Sequence, residues 1–158
     1  MINPLRKIAL SCMILLCSAT SFAQDDESLM TYDLATQAMA AAEAYARDKN
    51  WNVTILITDQ NNNPVMLHRI DGAGGRTFGF ATAKALVVNA TGLTSGEYGS
   101  QIESGDIEEI EGGVTFAGGV PVFRGGVHIG AIATSGVRAL QDEEVSIAGA
   151  KVIGSISN

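Results

Sequence analysis

The stretch 67-LHRIDGAGGRTFGFATAKA-85 decides the fold, because it joins a predicted strand to a predicted helix. Residues up to Ile70 are β-prone, and glycines at 72, 74 and 75 release the backbone from the limits on other residues. A helical pattern follows from about Arg76 to Ala90. Two interpretations of the glycine cluster stay open. It is either a turn into a helix with a solvated Arg76, or a place where a small ligand binds.

The ligand-binding interpretation rests on backbone N–H groups and one arginine. Successive N–H groups at Gly74 and Gly75, with the positive end of the following helix, would form a concavity for an anion. Arg76 would grip a carboxylate or phosphate with two parallel hydrogen bonds, and Lys84 lies two helical turns further on. The carboxylate of a small ligand suits this arrangement. Thr77 stands where a Rossmann motif requires glycine, and no Walker Gly-Lys-Ser/Thr sequence is present.

The sequence before this stretch predicts one helix and a β-hairpin. Residues 52–70 are β-prone apart from the turn sequence at 61–64, which predicts a hairpin. The helix should begin after Thr31, a predicted N-cap, and end near Asn50. Its apolar residues fall at the spacing of one helix face: Leu34, Ala38, Ala41, Ala42 and Tyr45.

The sequence after it predicts a loop, further strands and a last helix. Residues 91–112 hold six acidic residues and no basic one, and predict a solvated loop or lid. A hard-cation site there is the weaker alternative, since the spacing of an EF-hand is absent. Residues 112–136 alternate β-rich runs with glycine turns and predict two or three strands. Residues 142–155 predict a helix whose apolar face includes Val145, Ala148, Val152 and Ile156.

This order of elements predicts an α+β fold with an antiparallel sheet, rather than a doubly wound parallel sheet. The strands near 53–58 and 127–134 are apolar on both faces. We therefore expect the sheet to be covered on each side, by helices or by another subunit.

The first residues have the pattern of a secretory signal. Arg6 and Lys7 precede an apolar run at 8–16, and Ser21-Phe22-Ala23 offers a small-x-small cleavage site. The run is shorter than the about 20 residues of a membrane span, and Cys17 follows Leu16 instead of the small residue that lipidation requires. We expect a periplasmic or secreted protein with no membrane span after cleavage. The predicted organisation is a signal peptide at 1–23, a flexible leader at 24–30 and a single domain at 31–158.

Cleavage would also fix the chemistry and charge of the mature chain. It would remove Cys12 and Cys17, which excludes disulfides, cysteine–zinc sites and cysteine nucleophiles. Eight basic residues would remain against seventeen acidic ones, a net charge of −9. We expect no nucleic-acid partner, because phosphate neutralisation needs a basic face.

Four segments in this order carry a resemblance to a known family: ILITDQNNNPVMLHRIDGA, ATAKA, GGVPVFRGGVHIGAIATSG and DEEVSIAG. Together they resemble the GlcG/HbpS family, also called the haem-degrading-domain family, over roughly residues 31–156. The resemblance implies a profilin-like α/β/α fold with a five-stranded antiparallel sheet and a homo-oligomer. It also implies, for some members, haem binding, and for others an association with glycolate, alcohol or diol metabolism. It indicates a fold more firmly than a function.

The two histidines, His68 and His128, are candidate axial ligands of a haem iron or acid/base groups. Gly130 leaves room beside His128 for a flat ligand. The alternative for each is a histidine half-buried at a sheet edge or a subunit contact. The predicted first helix holds no histidine, whereas the resemblance implies a haem ligand in that helix for at least one branch of the family.

Other polar residues complete the candidate site. Asp59, Arg69 and Asp71 match positions typical of the family, although Asp59 would also cap the Asn-rich turn and Arg69 would also pair with Asp71. Ser135 precedes the last helix and lacks the Gly-x-Ser-x-Gly context of a serine hydrolase. The predicted ligand-binding residues are His68, Arg69, Asp71, Gly74, Gly75, Arg76, Lys84, His128 and Ser135.

Three functions stay open. The first is an exported protein that binds haem or a related carboxylate-bearing ligand. The second is an accessory protein or enzyme of periplasmic hydroxy-acid, alcohol or aldehyde metabolism, with Arg76 or Arg69 holding the substrate and His68 or His128 moving a proton. The third is a structural protein whose two-sided apolar sheet serves assembly.

Overall fold

The computed structural model describes residues 28–158, so the predicted signal peptide and most of the predicted leader lie outside the described residues. No helix of this range is long and apolar enough to cross a membrane. The elements, in chain order, are α1 (Tyr32–Asp48), β1 (Thr54–Asp59), β2 (Pro64–Arg69), α2 (Thr77–Thr91), α3 (Ser95–Ser104), β3 (Gly119–Arg124), β4 (Val127–Ser135) and α4 (Ala139–Ala150).

The sheet is antiparallel, with strand order β2-β1-β4-β3. The central strand β1 sets the register, since Ile57 lies opposite Met66 of β2 and Ile132 of β4. The α+β prediction is confirmed. The predicted five strands are not confirmed, because residues 28–158 form four. Next to β3 there is only a single bridge between Phe123 and Ser155, and turn and bend residues on both sides of Ser155 keep this contact from becoming a strand.

Helices cover both faces of the sheet. On one face, Ile55, Ile57 and Ile132 pack with residues of α1 and α4, including Ala38 and Val145. On the other face, Leu56, Ala131 and Ala133 pack with the α2 residues Ala81, Ala85 and Val88. Burial of apolar side chains on each side holds the three layers together.

The first helix agrees with the sequence prediction. The Thr31 side chain accepts a hydrogen bond of 3.3 Å from the N–H of Leu34, which satisfies one of the free donors at the helix start. The helix ends at Asp48, and Asn50 adopts a left-handed backbone with φ of 56°.

The last helix is displaced from its predicted bounds. It spans Ala139–Ala150, so Val152 and Ile156 lie beyond its end, and Val152 is 52% exposed. Val145 is buried as the pattern predicts. The Gln141 side chain accepts a hydrogen bond from the N–H of Arg138 and helps to fix the start of the helix.

The predicted loop at 91–112 contains a helix. The segment α3 begins with a capping box, in which Thr94 and Glu97 each accept a hydrogen bond from the other's backbone N–H. Gly99 packs so tightly that a Cβ there would lie 1.9 Å from the carbonyl oxygen of Thr115. The capping box was the signal in the sequence that could have predicted α3. Few apolar residues follow it, so the acidic composition favoured a loop instead.

Candidate functional site

A cavity of about 380 Å³ lies where the starts of α2 and α4 meet the end of β4. Four of the predicted ligand-binding residues line it: Gly74, Gly75, Arg76 and Ser135. The other lining residues are Thr77, Phe80, Phe116, Gly136, Val137, Ala139 and Asp142. The glycine-rich stretch therefore forms one wall of a concave site.

Thr77 fixes the start of α2 at this cavity. Its Oγ1 donates to the carbonyl of Gly74 over 2.7 Å and lies 2.6 Å from Oγ1 of Thr54 in β1. The helix begins at Thr77, one residue later than predicted, and Arg76 is an N-cap without a side-chain capping bond. The N–H of Thr77 donates to the carbonyl of Gly74 over 3.2 Å, whereas the next N–H groups of the helix have no intrahelical acceptor and are available to an anion.

Arg76 is the cationic residue of the cavity wall. Its guanidinium carbon lies 5.4 Å from the ring centre of Phe80, and Phe80 meets Phe116 edge-on with centroids 5.7 Å apart. Within residues 28–158 no carboxylate forms an ion pair with Arg76. The cavity therefore combines one unpaired guanidinium with two aromatic rings, which suits a flat ligand that carries a carboxylate.

The start of α4 forms the opposite wall. Asp142, in the first turn of this helix, accepts a hydrogen bond of 3.0 Å from the N–H of Val137 through Oδ1. Its Oδ2 lies 2.9 Å from Nζ of Lys84, and both side chains are buried. The N-terminal ends of α2 and α4 thus meet at one cavity.

Lys84 lies behind the cavity and does not line it. Its ammonium group also donates to the carbonyl of Thr134 over 2.7 Å, and it lies 5.1 Å from the ring centre of Phe116. Burial lowers the pKa of Lys84 from its ordinary value, and the carboxylate of Asp142 opposes this shift. The sequence predicted that Lys84 would hold a ligand directly. Its side chain is instead fully buried and contacts Asp142.

His68 belongs to a different surface. Its Cα pairs with that of Ile55, which places it on the sheet face covered by α1, and its Nδ1 lies 2.9 Å from Oε2 of Glu43. The hydrogen bond from His68 and that from Arg47 lower the pKa of Glu43. A pocket of about 290 Å³ is lined here by Glu43, Arg47, Leu67, His68, Arg69, Ile70 and Asp71.

The predicted Arg69–Asp71 pair is not formed in the described part of the chain. Arg69 donates instead to the carbonyl oxygen of Ala73. Its backbone pairs with Thr54, so the side chain projects toward the α2 layer. Asp71 is exposed in the turn that follows β2.

His128 lies at the far end of α2 from Arg76. Its ring is 5.2 Å from that of Phe123, which packs against Gly92 at the end of α2. A 15-residue helix is about 22 Å long, so His128 and Arg76 belong to separate regions. The Nε2 atom of His128 is buried without a hydrogen-bond partner among the described residues, and burial lowers the pKa of this histidine.

A family model identifies the chain. The model described as "HbpS-like: Haem degrading protein HbpS-like" matches residues 30–151. The chain belongs to the HbpS-like family. The comparison with curated proteins finds no match.

Solved structures of the HbpS-like type share this fold. A crystal structure of HbpS is 27% identical, with a TM-score of 0.75 over 84% of this chain and 96% of that one. A double mutant of Streptomyces reticuli HbpS is 25% identical, with a TM-score of 0.74 over 98% of this chain and 99% of that one. The PduOC:heme complex is 21% identical, with a TM-score of 0.75 over 81% of this chain and 98% of that one, a likeness of fold.

Two residues that line the cavity were missed from the sequence, and one candidate residue has a structural role. Phe116 and Asp142 line the cavity, although no local motif marked either as a ligand contact. Asp59 accepts hydrogen bonds from the N–H groups of Asn61 and Asn63, and so caps the Asn-rich turn. No group of three or more metal-ligating side chains is present in residues 28–158.

Proposed function

We propose that this HbpS-like chain is an exported protein that binds a carboxylate-bearing ligand, haem or a smaller organic acid, in the cavity between α2 and α4. The observation that carries the proposal is Arg76, an arginine without an ion-pair partner in residues 28–158, at the wall of a cavity where α2 begins. Family membership and the heme complex of PduOC support haem as the ligand. The signal-like sequence at 1–23 supports export.

The two ends of the cavity would bind different parts of the ligand. The carboxylate would lie at Arg76 and the N–H groups that follow Gly75, where charge and hydrogen bonds act together. The body of the ligand would lie against Phe80 and Phe116, which are within ring contact of each other. The Ser135 side chain lines the same cavity and offers a hydroxyl for a second polar group.

The volume of the cavity favours a small acid or one edge of a larger ligand. Ligand sites range over about 300–1,000 Å³, and this cavity of about 380 Å³ is near the lower end. A small hydroxy acid would fit within the cavity, which keeps the metabolic alternative open. Haem would be held by one propionate, with its ring partly outside the cavity. Bound haem would supply iron redox chemistry, and Arg76 would orient the group.

A second candidate site for haem is the surface around His68. Because its Nδ1 is held by Glu43, the Nε2 atom is the ring nitrogen left to bind iron, an arrangement typical of metal-bound histidines. His68 is also half exposed, and Arg47, which pairs with Glu43, lines the same pocket and would receive a propionate. His128 is less suited, since its Nε2 is buried.

A titration with two variants separates the sites. Hemin is added to the purified mature protein and the Soret band recorded, and acetate or lactate binding is followed by calorimetry. Arg76→Met should weaken binding by about tenfold or more, since a charge-assisted bidentate contact is lost. Arg124→Met, a change of an exposed arginine at the end of β3, is the control. Unchanged affinity in Arg76→Met would refute the cavity, and loss of the Soret shift in His68→Ala alone would move haem to the second site.

We also propose that the chain forms a homo-oligomer, as its resemblance to the family implies. Leu140 and Val152, at the start of α4 and just after its end, are 71% and 52% exposed and are candidate subunit contacts. Sedimentation velocity on the mature protein should show a species larger than the monomer, and Leu140→Glu should shift it toward the monomer. A wild-type protein that sediments as a monomer would contradict this proposal.

A further inference from the structure

We propose that Lys84 sets the charge selectivity of the cavity by neutralising Asp142, so that the wall presents the single positive charge of Arg76 to a ligand. The inference rests on the proposed function, because it concerns the same cavity. Lys84 does not contact the ligand; it acts by its charge beside Asp142 and is a positioning residue.

The charge of Asp142 must be neutralised if the cavity is to bind an anion. It lines the cavity and is 3% exposed. A bare carboxylate in this wall would repel an anionic ligand and would leave a buried charge without compensation. Its Oδ1 accepts from the N–H of Val137, and its Oδ2 accepts from Lys84. One oxygen of the Asp142 carboxylate therefore binds the loop before α4, and the other oxygen pairs with Lys84.

Lys84 is placed where it can reach Asp142 but not the ligand. It is fully buried, and its ammonium group is shared between Asp142 and the carbonyl of Thr134. A Cβ on Gly118 would lie 2.3 Å from its Nζ, so the backbone closes over it on that side. The ring of Phe116 stands 5.1 Å from the same atom and separates it from the cavity.

The other charges around Asp142 come from three elements. Arg76 lies across the cavity at the start of α2. Glu143 follows Asp142 on α4, has an Oε2 atom buried without a hydrogen-bond partner in the described residues, and has its pKa raised by burial. Glu97 of α3 acts on Glu143 through like charge. The experiment must therefore separate the charge of Asp142 from that of Glu143.

The experiment compares acetate with acetamide, which differ in charge and little in shape. Binding is measured by NMR, from the backbone amide shifts of Gly74 and Gly75. The wild type should bind acetate more tightly than acetamide. Lys84→Met should lose about tenfold or more of this preference at pH 8, because the Asp142 carboxylate then stands in the cavity wall without a counter-charge. Lys84→Met/Asp142→Asn should keep the preference.

Two further variants keep the test decisive. Asp142→Asn retains Lys84 and should bind acetate more tightly than Lys84→Met/Asp142→Asn, a comparison that stands even if Lys84→Met does not fold. Glu143→Gln in the Lys84→Met background should not restore the preference, which assigns the effect to Asp142 and not to its neighbour.

Each remaining outcome overturns a defined statement. If the wild type shows no acetate-dependent shift at Gly74 and Gly75, the proposed function and this inference both fail. If it binds acetate but Asp142→Asn and the double variant show the same preference, only the role of Lys84 fails. A merely structural lysine would change folding stability without changing the ratio of acetate to acetamide affinity.

Discussion

The hydroxyl oxygens of Thr54 and Thr77 lie 2.6 Å apart in the interior, and this contact joins the central strand β1 to the first residue of α2. Thr77 also donates to the carbonyl of Gly74, so one side chain connects the strand, the glycine turn and the helix start. The cavity wall depends on this connection.

Replacement of Thr77 by valine should therefore destabilise the protein. The valine keeps the shape and leaves the buried hydroxyl of Thr54 without this partner, at a cost of about 1–3 kcal/mol in the free energy of unfolding. Urea unfolding measures the change. Thr82→Val is the matched control, since the Thr82 hydroxyl bonds its own helix at an exposed position. Equal stability of the two variants would show that the Thr54–Thr77 contact contributes little.

Two helical glycines should respond to alanine with opposite signs. No atom lies within 4 Å of a Cβ built on Gly79 of α2. Gly79→Ala should therefore stabilise the folded protein by about 0.5–1 kcal/mol, because alanine reduces the backbone entropy of the unfolded chain. A Cβ on Gly99 of α3 would lie 1.9 Å from the carbonyl oxygen of Thr115, so Gly99→Ala should destabilise by about 2 kcal/mol or more. Thermal unfolding of both variants tests the pair, and a stable Gly99→Ala protein would contradict the packing of α3.

The stability of the protein should depend on the ionisation of Glu143. Burial raises its pKa above the ordinary 4.5, so the charged carboxylate penalises the folded state. Below the ordinary pKa, Glu143 is protonated in both the folded and the unfolded state, so the penalty is absent. It grows as the pH rises from the ordinary pKa to the raised pKa of the folded state. Glu143→Gln should thus have a higher Tm than the wild type at pH 8 and no advantage at pH 4. The exposed Glu103→Gln should show no such trend; a constant difference for Glu143→Gln would be inconsistent with the shift.

The helix α3 should depend on its capping box. Thr94→Ala removes the acceptor for the N–H of Glu97, at a cost of about 1 kcal/mol. Hydrogen exchange should show faster exchange in 95–104 with little change in α2. The exposed Ser100→Ala on the same helix is the control, and equal exchange in the two variants would argue that packing at Gly99 alone holds the helix.

The amino-acid sequence by itself determined the features that depend on local preference. Helix α1 with its Thr31 cap, the hairpin at 52–70, the antiparallel arrangement and the glycine turn before α2 all follow from periodicity and turn chemistry. These signals lie within a few residues of the structure they specify. The ends of elements are specified less well by local sequence. Helix α4 spans Ala139–Ala150, whereas its pattern predicted 142–155.

Only the tertiary structure decided which residues share a site. Lys84 and Asp142 are 58 residues apart and meet because α2 and α4 both start at one end of β4. His68 and Arg76 are close in sequence, yet they lie on opposite sheet faces, since successive strand residues alternate between faces and the chain then turns. A local pattern specifies an element and its buried face, whereas long-range packing selects the element that the face meets.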